Sequence, residues 1–201
     1  MLFRSLAFVA QEWSRYFSAH PTEILMIWTG GMTSYGGIIG GLAAGIFAAK
    51  KRGINVGTAA DLAGVSFPIG YFFGRLGCFF NGCCYGTHCD APWAISFKDE
   101  GGVFHSHVHP TQLYAVLASA MMYAILTFLE KRPRIRFQGE LLLAFAALYG
   151  VYRFIVEFWR EQDGPQSIKA GLSTGQWASV AIFVVAVAAF FLIPKQKPAT
   201  T

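Results

Sequence analysis

The sequence predicts an all-α protein, a polytopic transmembrane helix bundle of about five spans, and three observations carry that prediction. Hydrophobic residues make up 54% of the 201 positions, charged residues only 13%, and the basic residues gather at the ends of apolar stretches. An ordinary soluble domain carries roughly 25% charged residues, so a water-facing surface cannot be built from this composition. The whole chain, 1–201, is accordingly read as a single integral membrane domain.

A hydrocarbon core of roughly 30 Å takes about 20 helical residues to cross. Five stretches meet that length: Gly31–Ala49, Ala59–Phe80, Thr111–Leu129, Glu140–Phe158 and Thr174–Ile193. Lys50, Lys51 and Arg52 follow the first of these, Lys131, Arg132, Arg134 and Arg136 the third, and Lys195 and Lys197 the last. The excess of bases in cytoplasmic loops places those ends, and the C-terminus, inside. The connections Asn81–Pro110 and Trp159–Ser173 then face outward, as does the N-terminus. The net charge of +5 is thereby a topology signal, and nucleic acid is not expected as a partner.

Leu2–Phe17 is too short and too charged for a sixth span, because Arg4, Glu12 and Arg15 interrupt it, and it reads as an amphipathic surface helix. It lacks the layout of a signal peptide. An odd number of spans with an outside N-terminus leads to the expectation that upstream helices are missing from this chain or that insertion relies on the later spans. In the first span Gly37, Gly41 and Gly45 recur at four-residue steps, a stripe that lets two membrane helices approach closely. Gly70, Gly74 and Gly77 thin the second span in the same way and open room for a headgroup beside Arg75.

Arg75 is the first candidate for chemistry. A guanidinium near the end of a hydrophobic segment needs an anionic partner, and an intramembrane ionisable residue is by default a functional candidate. The polar, glycine-rich run Gly74–Gly86 follows it, and the anion at hand at a membrane surface is a lipid phosphate. The second candidate group is Tyr149, Arg153 and Glu157, spaced i, i+4 and i+8 and therefore on one helix face. Arg153 and Glu157 read either as a self-neutralising ion pair or as part of the same site. Two arginines and one acid leave it positive in sum.

Pro110 suits the first turn of the third span, and Thr111 and Gln112 sit where polar side chains serve a helix start. His109, just before them, orients a headgroup or a water, or is simply an interfacial hydrogen-bonding residue. All four cysteines, Cys78, Cys83, Cys84 and Cys89, fall within twelve positions. Three readings stay open for them: a metal or redox site, a disulfide in an outward-facing loop, and inert small residues at a crowded helix end. No residue is assigned to a metal.

Tyr35-Gly36-Gly37, the Gly74–Gly86 run, His109–Tyr114 and the Tyr149–Arg160 run, taken in order, resemble the prolipoprotein diacylglyceryl transferase family over nearly the whole chain from Trp28 onward. The resemblance implies an enzyme of the bacterial inner membrane that needs no cofactor. Its substrates would be phosphatidylglycerol, a membrane lipid, and the lipobox segment of a prolipoprotein. The diacylglyceryl group would pass to the lipobox cysteine as a thioether, and glycerol phosphate would leave. It further implies that Arg75 and Arg153 hold the phosphate, with Tyr35 as a base candidate. By the same resemblance Asn81 and Gly86 shape the headgroup site and Tyr149 lines the cavity, while Glu157 and His109 are taken as further substrate-binding residues. The chain departs from the family in two ways. The signature Gly-Arg-x-x-Asn-Phe-x-Asn-x-Glu has Cys78 in place of its first Asn and Cys83 in place of its Glu, and the family's first helix and much of its second are not matched. Two rival readings remain: a lipid-binding membrane protein of the same fold without turnover, and a membrane thiol-redox or metal-binding protein.

Overall fold

The computed structural model describes residues 34–98, 102–132, 137–160, 168–169 and 171–193. Leu2–Phe17, the start of the first expected span and the tail with Lys195 and Lys197 lie outside them. The chain divides into two compact units, Met1–Ala59 and Ala60–Thr201.

In the first unit, helix α1 (Ser34–Lys51) ends on Lys50 and Lys51, whose positive charge suits the negative end of a helix dipole. Gly53 adopts φ +67° to turn the chain. Asn55 then accepts from the Gly57 amide at 2.8 Å, opening the next helix. Of the glycine stripe, Gly41 and Gly45 are exposed, and among the described residues a Cβ there would meet nothing within 4 Å.

The second unit carries most of α2 (Val56–Phe80), then α3 (Thr111–Glu130), α4 (Glu140–Val156) and α5 (Thr174–Leu192). Four of the described helices are long and apolar enough to cross a membrane: Val56–Phe80, Thr111–Glu130, Glu140–Trp159 and Thr174–Leu192. Most of their surface is apolar and outward, as lipid-facing helices require, with Phe73, Leu117, Phe128, Val185 and Phe191 all exposed. α4 packs against both α3 and α5. Gly150 permits the second contact, since a Cβ there would lie 3.0 Å from the Ser179 carbonyl oxygen. On α2, Gly64 plays the same part, as its Cβ would come within 2.7 Å of the Leu142 backbone on α4. Small residues at such crossings are the usual means of close helix approach in membranes.

Asp61 ties the same two helices polar to polar. Its carboxylate accepts from the Gly139 amide at 2.8 Å and the Leu141 amide at 2.7 Å, satisfying donors at the start of α4 that have no intrahelical partner. α5 is capped from within: the Ser173 hydroxyl accepts from the Gln176 amide, and the Gln176 side chain accepts from the Ser173 amide.

Between α2 and α3 an antiparallel hairpin forms, β1 (Ile95–Lys98) with β2 (Phe104–Val108), in the register Ile95↔Val108 and Phe97↔His105. Buried Phe97 roots the hairpin between Phe79 and Tyr85. A short pair, β3 (Ile168–Lys169) and β4 (Leu172–Ser173), precedes α5. Two expectations are corrected. Pro110 stands just before α3 rather than in its first turn, and Thr111 and Gln112 serve the preceding loop instead of the helix start.

Candidate active site

Arg75 lies on the last turns of α2, partly buried, with its guanidinium carbon 4.9 Å from the centre of the Tyr71 ring. That is a cation–π contact, and it uses the i, i+4 spacing that puts both residues on one helix face. Tyr71 is held in turn by α4: its hydroxyl lies 3.4 Å from that of Tyr152, and its ring meets Tyr149 edge-on at 5.7 Å. Phe145 continues this aromatic seam, stacked on Phe67 at 5.6 Å and leaning on Tyr149. Among the described residues no carboxylate pairs with Arg75. Among the described residues a Cβ on Gly70, Gly74 or Gly77 would meet nothing within 4 Å, but at about 100° per residue these glycines lie on a different face of α2 from Arg75, so the expected room for a headgroup beside Arg75 is not what they provide.

Arg153 is paired. Its guanidinium meets the Glu157 carboxylate one turn on, and both side chains are largely buried, at 19% and 8% exposure. Glu157 begins a 3-10 turn, Glu157–Trp159, that ends α4. Its carboxylate also accepts from the Ser173 hydroxyl at 3.0 Å and crowds Gly175, where a Cβ would collide with it. Carboxylate and helix start are complementary, since the N-terminal end of α5 is the positive end of its dipole. Tyr149 lies within electrostatic reach of both Arg153 and Arg75, so the three residues form one neighbourhood.

The loop after α2 is stitched to α3 and α4. Gly86 donates to the His109 carbonyl at 2.8 Å, and Thr87 donates to the Trp159 carbonyl at 2.9 Å. There is no room for a side chain on Gly86, which would run into the Trp159 carbonyl, Thr111 and His109. Gln112, fully buried, donates to the Cys83 carbonyl at 2.7 Å, and Thr111 donates to that of Cys84 at 2.8 Å. His109 Nδ1 lies 3.0 Å from the Tyr114 hydroxyl, which also accepts from Trp93 at 3.0 Å, and Trp159 flanks both rings. The structure therefore brings Arg75, Tyr149, Arg153 and Glu157 into one helical neighbourhood and sets Gly86 and His109 in the adjoining loop seam. Asn81 follows α2 directly and is exposed. Tyr35 has its backbone in α1, and its side chain lies outside the described residues.

An apolar cavity of about 380 Å³ opens between α3, α4 and α5, lined by Tyr114, Met121, Val151, Tyr152, Trp159 and Phe183 among others. Tyr152 thus has one edge on this cavity and its hydroxyl on Tyr71 beneath Arg75. A cation without a carboxylate partner among the described residues, linked through Tyr71 and Tyr152 to an apolar hollow, suits an amphiphile with an anionic head.

A family model for prolipoprotein diacylglyceryl transferase matches residues 5–192. The chain belongs to this family. Among its relatives is the phosphatidylglycerol–prolipoprotein diacylglyceryl transferase of Geobacter sulfurreducens, 38% identical over 90% of this chain and 69% of the relative. The enzymes of that name from Bordetella avium and Idiomarina loihiensis are 36% and 35% identical, over 90% and 91% of this chain and 68% of each relative.

The residues that sequence reasoning missed are Tyr71, Tyr152, Asp61 and the carbonyl-holding roles of Thr111 and Gln112. Tyr71 was findable, because it stands at i−4 from Arg75. The others depend on contacts between distant parts of the chain. Of the cysteines, Cys84 has its thiol pushed up to about 11, first by partial burial and then by the neighbouring Cys83 thiol. It is therefore not a low-pKa nucleophilic cysteine.

Proposed function

We propose that this chain transfers the diacylglyceryl group of phosphatidylglycerol to the lipobox cysteine of a prolipoprotein, acting at the outer side of a bacterial inner membrane with its C-terminus in the cytoplasm. The observation that carries the reading is Arg75: a guanidinium at the end of a membrane helix, fixed over Tyr71 and without a carboxylate partner among the described residues.

In the transfer the cysteine sulfur forms a bond to the glyceryl carbon as that carbon's bond to the phosphate oxygen breaks. The thiol proton passes to a base, and the electron pair of the broken bond leaves on glycerol phosphate. Negative charge therefore grows on the phosphate in the transition state, and a preorganised donor in a water-poor site stabilises it by about 3 to 4 kcal/mol. Arg75 supplies that donor as a planar fork able to take two phosphate oxygens. Arg153, already engaged by Glu157, adds positive potential around Tyr149 and the aromatic seam. The apolar cavity beside Tyr152 takes acyl chain.

The test is transfer of labelled diacylglyceryl from phosphatidylglycerol to a lipobox peptide by the 201-residue chain in lipid. Turnover that is lost in Arg75→Ala supports the assignment. Retained phosphatidylglycerol without turnover would instead favour a lipid-binding membrane protein, a reading favoured by the presence of Cys78 and Cys83 where the family signature has Asn and Glu.

A further inference from the structure

Three of the four cysteines converge. The sulfurs of Cys78, Cys83 and Cys84 all lie within 4.8 Å of one another. Cys78 is in the last turn of α2 and the other two are in the loop that follows, which doubles back because the Cys83 amide donates to the Cys78 carbonyl at 3.2 Å. Adjacent cysteines ordinarily point apart. Here Cys84 takes the left-handed conformation at φ +65°, and the Cys83 and Cys84 sulfurs stand 3.4 Å from each other.

The geometry is held from outside as well. Gln112 and Thr111, at the start of α3, bond the carbonyls of Cys83 and Cys84 at 2.7 and 2.8 Å, so the loop that carries two of the thiols is anchored to α3 as well as to the end of α2. The hairpin presses on the same loop, since Gly82, at φ +66°, has its Cα side filled by the Lys98 carbonyl. Three thiolates around an ion at a metal–sulfur distance of about 2.3 Å lie about 4 Å apart, which the observed separations reach with small side-chain rotations.

We propose that Cys78, Cys83 and Cys84 form a binding site for a thiophilic divalent d10 cation of the zinc class. Thiolate ligands select such ions over harder ones. Three thiolates and a divalent ion sum to a single negative charge, and Arg75 lies within electrostatic reach of Cys78 and Cys84 to offset it. A tetrahedral ion so held keeps one position for water or an incoming ligand. Cys89 lies outside the group and has no part in it. The proposal stands whether or not the chain is a transferase, because it rests on the placement of the thiols and on the contacts that hold them.

The experiment is titration of the reduced full-length protein in lipid with Cd2+, followed by thiolate-to-metal absorbance, and with Zn2+, followed by metal retained after gel filtration. One ion per chain is expected, with affinity reduced about 100-fold or more in Cys78→Ser, Cys83→Ser and Cys84→Ser, about tenfold in Gln112→Leu through loss of the loop's support, and unchanged in Cys89→Ser. Cys84 is exposed, so its serine variant is the one least exposed to misfolding, and circular dichroism checks each variant. Binding below one equivalent, equal loss in Cys89→Ser, full binding by Cys84→Ser, or isolation of a disulfide among the three thiols under the same reducing conditions would each overturn the proposal.

Discussion

The Glu157 carboxylate stands between Arg153 on its own helix and the Ser173 hydroxyl at the start of α5, 3.0 Å away. It is the joint between the end of α4 and the next span, and it keeps the Arg153 charge from standing alone in a buried place. Removing one partner of a buried pair costs about 3 to 5 kcal/mol, because the other charge is left uncompensated. Glu157→Ala is expected to unfold earlier in denaturant by an amount in that range. Glu157→Gln, which still accepts from Ser173, should lose less. Equal stability of wild type and Glu157→Ala would show that the pair does not hold the two helices.

Two glycines on the path to the site should behave oppositely. Gly86 has no space for a methyl group, so Gly86→Ala must push the Trp159 carbonyl and the loop apart, with a large drop in folded protein. Gly74, next to Arg75, has open space, and Gly74→Ala should keep or slightly raise stability, as alanine does in a helix. Thermal unfolding in lipid separates the two. Wild-type stability in Gly86→Ala would contradict the packing seen here.

These outcomes bear on what the sequence discloses. Hydropathy is local, so the spans at Thr111–Glu130 and Thr174–Leu192 could be read almost to the residue. The Arg153–Glu157 pair was legible for the same reason, since i, i+4 spacing needs no tertiary knowledge. Glycine spacing shows that a helix can be approached closely but not what approaches it: among the described residues Gly41 and Gly45 meet no neighbour, while the unremarked Gly64 and Gly150 carry helix crossings. The convergence of three thiols depends on the loop doubling back onto Cys78 and on the positive φ at Cys84, which no residue type announces. Thr111 and Gln112 were misread because a polar residue at a helix start ordinarily caps that helix, and here the carbonyls of an adjacent loop compete for it.

Asp61 supplies another contact that sequence could not show, 78 residues from the amide of Gly139. Both carboxylate oxygens are used, one on Gly139 and one on Leu141. Loss of a helix cap costs about 1 kcal/mol, within a range of about 0.5 to 2, so Asp61→Ala should destabilise by that amount. Asp61→Asn, with one acceptor oxygen left, should fall between. Hydrogen exchange at the Gly139 and Leu141 amides should speed up in both variants, and unchanged exchange in Asp61→Ala would count against the cap.

Arg75→Lys separates charge from shape. Lysine keeps the positive charge but has neither the flat guanidinium that lies on Tyr71 nor a fork that meets two phosphate oxygens at once. Loss of one well-placed donor to a developing oxyanion costs about 10²- to 10³-fold in rate. Transfer by Arg75→Lys is therefore expected to drop by about that factor, chiefly in kcat, with Arg75→Ala inactive. Stability should move little in either variant, because among the described residues Arg75 is held by Tyr71 and by no ion pair. Full transfer by Arg75→Lys would mean that positive charge suffices and the Tyr71 stack is incidental. Full transfer by Arg75→Ala would remove Arg75 from the chemistry altogether.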